Sequence, residues 1–147
     1  MKSILIVEDE EIIRKELETL LKNSGYNALS LNSFSNAKED IINTKADLIL
    51  LDINLPNING EMLLKEIRKE INDLIAAGEI NTPVIMVTSR NDEVDEVLSI
   101  SYGADDYITK PYNPTVLLLR IQNIFKRMEN NRDDLFYDDI IVNPQKG

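Results

Sequence analysis

Four apolar runs, each closed by a polar stop, constrain this chain more than any other feature of it. Ile4-Leu5-Ile6-Val7 ends at Glu8-Asp9, Leu48-Ile49-Leu50-Leu51 at Asp52, Val84-Ile85-Met86-Val87 at Thr88-Ser89, and Tyr107-Ile108-Thr109 at Lys110-Pro111. Unbroken apolar runs of this length suit strands buried on both faces, as in a parallel sheet. Parallel strands share a direction, so the residues at their C-terminal ends collect along one edge. Three carboxylates, a hydroxyl and an ammonium would meet there, a set suited to a divalent cation and a phosphoryl group.

Helical patterns lie between the runs. Asp9 to Asn23 carries Ile12, Ile13, Leu17, Leu20 and Leu21 on one face, with Gly25 beyond its end. A weaker strand, Asn27 to Leu31, precedes a polar helix over Ser35 to Thr44 with Ser33 or Ser35 as its cap. Asp47 to Leu51 is the third strand, and a helix over Asn59 to Ala77 follows. Pro83 opens the fourth strand, where its missing N–H is tolerated. Asp92 to Tyr102 makes a short helix that Gly103 ends, Asp106 to Thr109 is the fifth strand, and Pro114 to Met128 is a final helix. Five strands alternating with five helices imply right-handed crossovers and a doubly wound α/β sandwich of three layers, of which the flavodoxin-like strand order 2-1-3-4-5 is the case expected here. In that order strands one and three are neighbours where the winding reverses, and ligands bind beyond their carboxyl ends.

Composition narrows the chemistry. At 147 residues the chain holds one domain and a modest extra segment. It contains no Cys and no His, which excludes disulfides, thiolate metal sites, the usual zinc ligand and a histidine phosphate carrier. A metal here must be held by oxygen, which points to Mg²⁺, Mn²⁺ or Ca²⁺. The net charge of -10 argues against nucleic-acid binding through a general basic surface. With no apolar stretch of membrane-spanning length and no signal-peptide pattern, a cytoplasmic location is the expectation.

Glu8, Asp9 and Asp52 repel one another unless a cation or proton intervenes, and Mg²⁺ needs only two or three carboxylates beside its waters. The bland alternative for Glu8-Asp9 is a helix cap favouring the dipole. Lys110 could hold a phosphoryl oxygen or be an ordinary surface lysine, and its place before Pro111 permits a cis bond. Thr88 could donate a hydrogen bond to the same group or only to its own backbone.

Ile4 to Glu10, Leu51-Asp52-Ile53-Asn54-Leu55-Pro56, Met86-Val87-Thr88-Ser89 and Gly103 to Pro111 together resemble a response-regulator receiver domain of the CheY-like superfamily, over Met1 to Met128. The resemblance implies that Asp52 is the phosphoacceptor. It implies that Glu8, Asp9, Asp52 and the backbone carbonyl of Asn54 bind Mg²⁺, with Mn²⁺ as a substitute. Thr88 and Lys110 would contact the phosphoryl group, and Thr88 with Tyr107 would form a switch pair. The donor would be a phosphohistidine on a sensor histidine kinase. The protein would not be an enzyme, though it would assist its own Mg²⁺-dependent phosphotransfer and autodephosphorylation, with Asn54 and Arg90 governing water access.

The charged residues Glu129 to Asp134 read as a linker. Leu135 to Val142 and the following Asn143-Pro144 resemble the opening strand of winged-helix effector domains in OmpR/PhoB-type regulators. The expected division is a receiver over residues 1–128, then linker and the start of a DNA-binding domain over 129–147. That subfamily implies a phosphorylation-dependent homodimer through the fourth helix, fifth strand and fifth helix, here with Asp105, Asp106, Arg120 and Arg127, and DNA contact only through the further domain. Glu96 and Val116 depart from the subfamily's charge pattern, and Ile67 to Asn81 is longer than usual, without catalytic purpose expected. The alternatives are an unphosphorylated receiver-like interaction module, or a small flavodoxin-like cofactor binder, which would want a glycine-rich phosphate loop.

Overall fold

The computed structural model describes residues 1–31, 33–52, 60–76, 82–88 and 104–140. They include five strands, β1 (Ser3–Val7), β2 (Asn27–Ser30), β3 (Leu48–Asp52), β4 (Val84–Thr88) and β5 (Asp106–Thr109). The described helices are α1 (Glu11–Asn23), α2 (Ala37–Thr44), α3 (Gly60–Ala76) and α4 (Pro114–Ile140). The helix expected over Asp92 to Tyr102 lies outside the described residues. The strands form one parallel sheet in the order β2-β1-β3-β4-β5, the doubly wound arrangement implied by the alternating pattern. Among the described residues no helix is long and apolar enough to cross a membrane.

The apolar runs become strands because both of their faces are covered. Alternate residues Leu5, Val7, Ile49, Leu51, Val84 and Met86 join Ala37 and Ile41 of α2 and Leu63, Leu64 and Ile67 of α3 in one core. The intervening Ile4, Ile6, Leu48, Leu50 and Ile85 are equally buried and point the other way, as the strand period of two requires. On α1, which lies against β1 and β2, Leu17 and Leu21 are buried. Ile12, expected on the same face, is 75 % exposed. The described part of the long segment after Ile67 continues α3 to Ala76.

Two reciprocal clasps close the N-terminal edge of the sheet. Ser3 N–H donates to Asp47 Oδ2 at 2.7 Å, and Asp47 N–H returns a bond to the Ser3 carbonyl at 2.8 Å. Val84 N–H donates to Asp105 Oδ2 at 2.8 Å, and Asp105 N–H bonds the Val84 carbonyl at 2.8 Å. Each aspartate immediately precedes a strand and holds the first residue of the strand beside it. Asp47, read from the sequence as the first residue of the third strand, does this instead. Arg68 of α3 reinforces the second clasp, with Nη2 at 2.9 Å from Asp105 Oδ2 and Nη1 at 3.3 Å from the Thr82 carbonyl.

Helix ends differ from the sequence reading in informative ways. α1 begins at Glu11, not Asp9, because Glu10 is held extended (φ -75°, ψ 112°) as its N-cap. Ser33 and Ser35 bond each other at 2.8 Å, and α2 is capped by Asn36 with no side-chain cap bond. Gly25, at φ +92°, lies in the left-handed region just past α1, as expected of a helix-stopping glycine.

The chain forms two compact units, Met1–Tyr112 and a second starting at Asn113. In the second, Asn113 Oδ1 accepts Thr115 N–H at 2.8 Å and caps α4, with Pro114 in the first helical position. The linker expected at Glu129 to Asp134 and the strand expected from Leu135 are corrected here: α4 runs on through Ile140. Glu, Asn, Arg and Asp at 129–134 include no helix breaker, so a charged run continues the helix.

Lys45 ends α2 in the left-handed conformation at φ 54°, the single non-glycine positive φ among the described residues. A side chain there costs about 1–2 kcal/mol, partly offset in a glycine variant by the greater freedom of its unfolded chain. Lys45→Gly is therefore expected to stabilise the protein by about 0.5–1 kcal/mol, read as a rise of about 2–4 °C in Tm by calorimetry.

Candidate functional site

Strand order determines which polar stops meet. β1 and β3 are hydrogen-bonded neighbours with Val7 opposite Leu51, so Glu8 and Asp9 emerge beside Asp52. Carboxylate oxygens of Glu8, Asp9 and Asp52 all lie within 4.8 Å of one another. Glu8 and Asp52 are each only 2 % exposed, whereas Asp9 is the most exposed of the three. Lys110, just past β5, reaches across the edge to both buried acids, with Nζ at 2.8 Å from Glu8 Oε1 and 3.3 Å from Asp52 Oδ2. The Lys110-Pro111 peptide is cis.

Thr88 closes β4 one residue beyond Val87, which is the register partner of Asp52, and stands opposite Thr109. Tyr107 lies opposite Met86 on β5, half-buried and packed against the main core. Asn54, Arg90 and Glu96 lie outside the described residues. Asp105 holds Val84 N–H and Arg68 within its own chain, and Asp106 Oδ1 accepts Tyr107 N–H at 2.8 Å. Arg120 and Arg127 belong to α4 in the second unit, where Arg127 is exposed.

Neither Glu8 nor Asp9 caps α1, whose N-cap is Glu10, but Glu8 holds that residue. Glu8 Oε2 accepts the N–H of Glu10, the cap residue, at 3.1 Å, while its Oε1 serves Lys110. Burial is the largest influence on Glu8 and lifts its pKa above the usual carboxylate value. The Lys110 and Glu10 bonds oppose that rise, and the charge of Asp52 adds to it. Burial draws Lys110 down, but its bonds and attraction to Glu8 and Asp52 outweigh that and leave its pKa raised. The two rises differ in origin, burial for Glu8 and its two carboxylate partners for Lys110. Three carboxylates and one ammonium leave a formal excess of two negative charges in the cluster. The all-oxygen donor set and this excess of two charges fit a divalent cation of the Mg²⁺ type.

Three residues, Arg14 and Tyr112 by the acidic cluster and Arg68 at the opposite edge, carry no signal in the sequence. Arg14 Nη1 donates to the Glu8 carbonyl at 3.2 Å. Arg68 is tied to Asp105. Tyr112 follows the cis proline, and burial above all, then the charges of Glu8 and Glu16, push its phenol up to about 12. None could be found by periodicity, because each depends on a neighbour that only folding supplies.

Tyr112 supplies a pH prediction. Its folded pKa is above the ordinary 10, so its contribution to stability is fully present below pH 10 and is lost as pH rises from 10 towards 12. Alkaline titration of tyrosinate absorbance is expected to show a late-ionising tyrosine that disappears in Tyr112→Phe. An unchanged titration in that variant would count against the assignment.

Known proteins resemble this chain in sequence and fold. Residues 4–122 match the response regulator receiver domain family. The sensory transduction protein RegX3 of Mycolicibacterium smegmatis is 38% identical over 142 residues, which cover 97% of this chain and 58% of that protein. The aerobic respiration control protein ArcA of Escherichia coli is 35% identical over 127 residues, covering 86% of this chain and 50% of ArcA. The chain thus spans about half the length of these relatives. The crystal structure of the receiver domain of the TMAO respiratory system response regulator TorR superposes with a TM-score of 0.72 at 35% identity, covering 86% of this chain and 98% of that one. Five parallel strands in this order, an acidic cluster at their carboxyl ends and these likenesses agree, and the chain belongs to the response regulator receiver domain family.

Proposed function

We propose that this receiver domain accepts a phosphoryl group on Asp52 from a phosphohistidine of a sensor histidine kinase. The observation that carries this reading is the buried Asp52 carboxylate set among Glu8, Asp9 and Lys110. An Asp52 oxygen attacks phosphorus in line, the O–P bond forms as the P–N bond to imidazole breaks, and the imidazole leaves with a proton. Glu8, Asp9, Asp52 and the Asn54 carbonyl would hold Mg²⁺, or Mn²⁺ in its place. The cation would offset charge on the transferring phosphoryl oxygens. Lys110, already on Asp52 Oδ2, needs only a short swing to meet a phosphoryl oxygen, and Thr88 donates its hydroxyl to the same group.

Phosphorylation adds roughly -1.5 to -2 charges. In this reading Thr88 moves towards the new group and Tyr107 rotates behind it, and two packings of similar energy exchange. Asp106, Arg120 and Arg127 then serve a homodimer face. Asp105 joins that face only by releasing Arg68 and the Val84 N–H. The segment from residue 129 onward leads to a winged-helix DNA-binding domain, so that dimerisation controls transcription from the cytoplasm. Attack of water on the acyl phosphate would release inorganic phosphate and return the Asp52 carboxylate, and a cation held by Glu8, Asp9 and Asp52 would offset the charge in that step.

Incubation with acetyl phosphate or phosphoramidate and Mg²⁺, followed by intact-mass measurement, tests the reading. One phosphoryl adduct is expected on the wild type and none on Asp52→Asn. Lys110→Ala is expected to slow adduct formation by about 10²-fold, the scale for removing one group that stabilises transition-state charge. A wild type that takes up no phosphate, or an undiminished adduct in Asp52→Asn, points instead to a receiver-like interaction module.

A further inference from the structure

The cluster carries a second layer that its three acids do not reveal. Asp9, between Glu8 and Glu10, is the most exposed of the three, and among the described residues its carboxylate accepts no hydrogen bond. Its position is therefore set by the backbone that carries it. That backbone is short and pinned: β1 ends at Val7, α1 begins at Glu11, and Glu10 has no side-chain cap bond of its own. Glu8 Oε2 takes the Glu10 N–H, and the Glu10 carbonyl takes Arg14 N–H at 2.9 Å. The Glu8 carbonyl is taken by the Arg14 guanidinium at 3.2 Å.

Arg14 had other choices. Glu10 and Glu18 stand four residues before and after it on the same side of α1, the spacing at which helical ion pairs form. Among the described residues Arg14 makes no such pair. Glu18 instead accepts Ser30 Oγ–H at 2.7 Å. The guanidinium turns back over the first helical turn to a neutral carbonyl at the root of the acidic segment. A charged donor strengthens that bond, and its location is partly buried.

We propose that Arg14 is a positioning residue for the cation site, holding the Glu8 carbonyl and thereby the segment that presents Glu8 and Asp9. This rests on the reading of the acidic cluster as a divalent-cation site. Outer partners that orient metal ligands typically change affinity by about 10–100-fold, and one acting through the backbone belongs at or below the lower end. Charge alone would also draw a cation less strongly to a site with an arginine nearby, so removing Arg14 should strengthen binding if its role were only electrostatic. The positioning role predicts the opposite sign.

The test uses Arg14→Met, which keeps an apolar stem, Arg14→Lys, and Lys15→Met as a control on the same helix. Calorimetric Mg²⁺ titrations are expected to show Kd raised about three- to tenfold in Arg14→Met, partly restored in Arg14→Lys, and unchanged in Lys15→Met. In the metal-free protein, amide exchange at Glu10 is expected to quicken in Arg14→Met, because the Glu8 side chain that holds that N–H loses its anchored backbone. A Kd equal to or below that of the wild type in Arg14→Met overturns the proposal whatever the exchange shows, and so does equal weakening in Lys15→Met. If the wild type binds Mg²⁺ and Arg14→Met binds it equally, only the role of Arg14 falls. If the wild type binds no Mg²⁺, the cation reading falls and this inference with it.

Discussion

Two carboxylates buried side by side at the end of a parallel sheet, with a single ammonium between them, place the strongest demand in this structure. Like charges about 4 Å apart repel by about 4 kcal/mol at the effective dielectric of a protein surface, and burial raises that cost. The chain meets part of it with Lys110, which follows β5 yet bonds Asp52 at the end of β3 and Glu8 just past β1. Such a reach requires the strand order found here. With β1 and β3 adjacent, Lys110 leaving the end of β5 and the acidic side chains reaching towards it meet over the sheet edge. Topology and electrostatics thus support each other, and what remains unbalanced defines the ligand the edge can accept.

Much of this was legible because the signals are local. An apolar run without alternation marks a strand covered on both faces, and β5 spans Asp106–Thr109 as its pattern indicates. The positions of Glu8, Asp9, Asp52 and Lys110 follow from strand direction and order alone. The failures are equally physical. Ile12 lies at the border of its apolar stripe, where a small rotation of α1 decides between core and solvent. The charge of the run from Glu129 suggests a linker, yet charge reports only that a segment does not need burial, and the helix runs through it. Asp105, expected at a partner face, has an intrachain use that its type does not reveal, since its Oδ2 takes both Arg68 and the Val84 N–H.

Arg14 and Tyr112 show a different limit. Their identities are unremarkable, and their roles arise from what lies against them: a carbonyl six residues earlier for Arg14, and acidic residues about a hundred positions earlier for Tyr112. Side chains that support a site from behind rarely advertise themselves by type or spacing, since many residues could occupy such places.

The paired clasps at the opposite edge give the sheet a mechanical polarity. At one end Asp47 and Asp105 lock the first amides of β1 and β4, and Arg68 anchors the second clasp to α3. At the other end the strands run out into side chains held mainly by charge, and charge can be rearranged by an arriving ion or phosphate without breaking backbone ladders. Strain introduced at the acidic edge therefore meets a clamped base and is relieved sideways, into helices and loops, instead of travelling down the strands. The sheet works like a tuning fork held at its stem: what happens at the tips moves the tips.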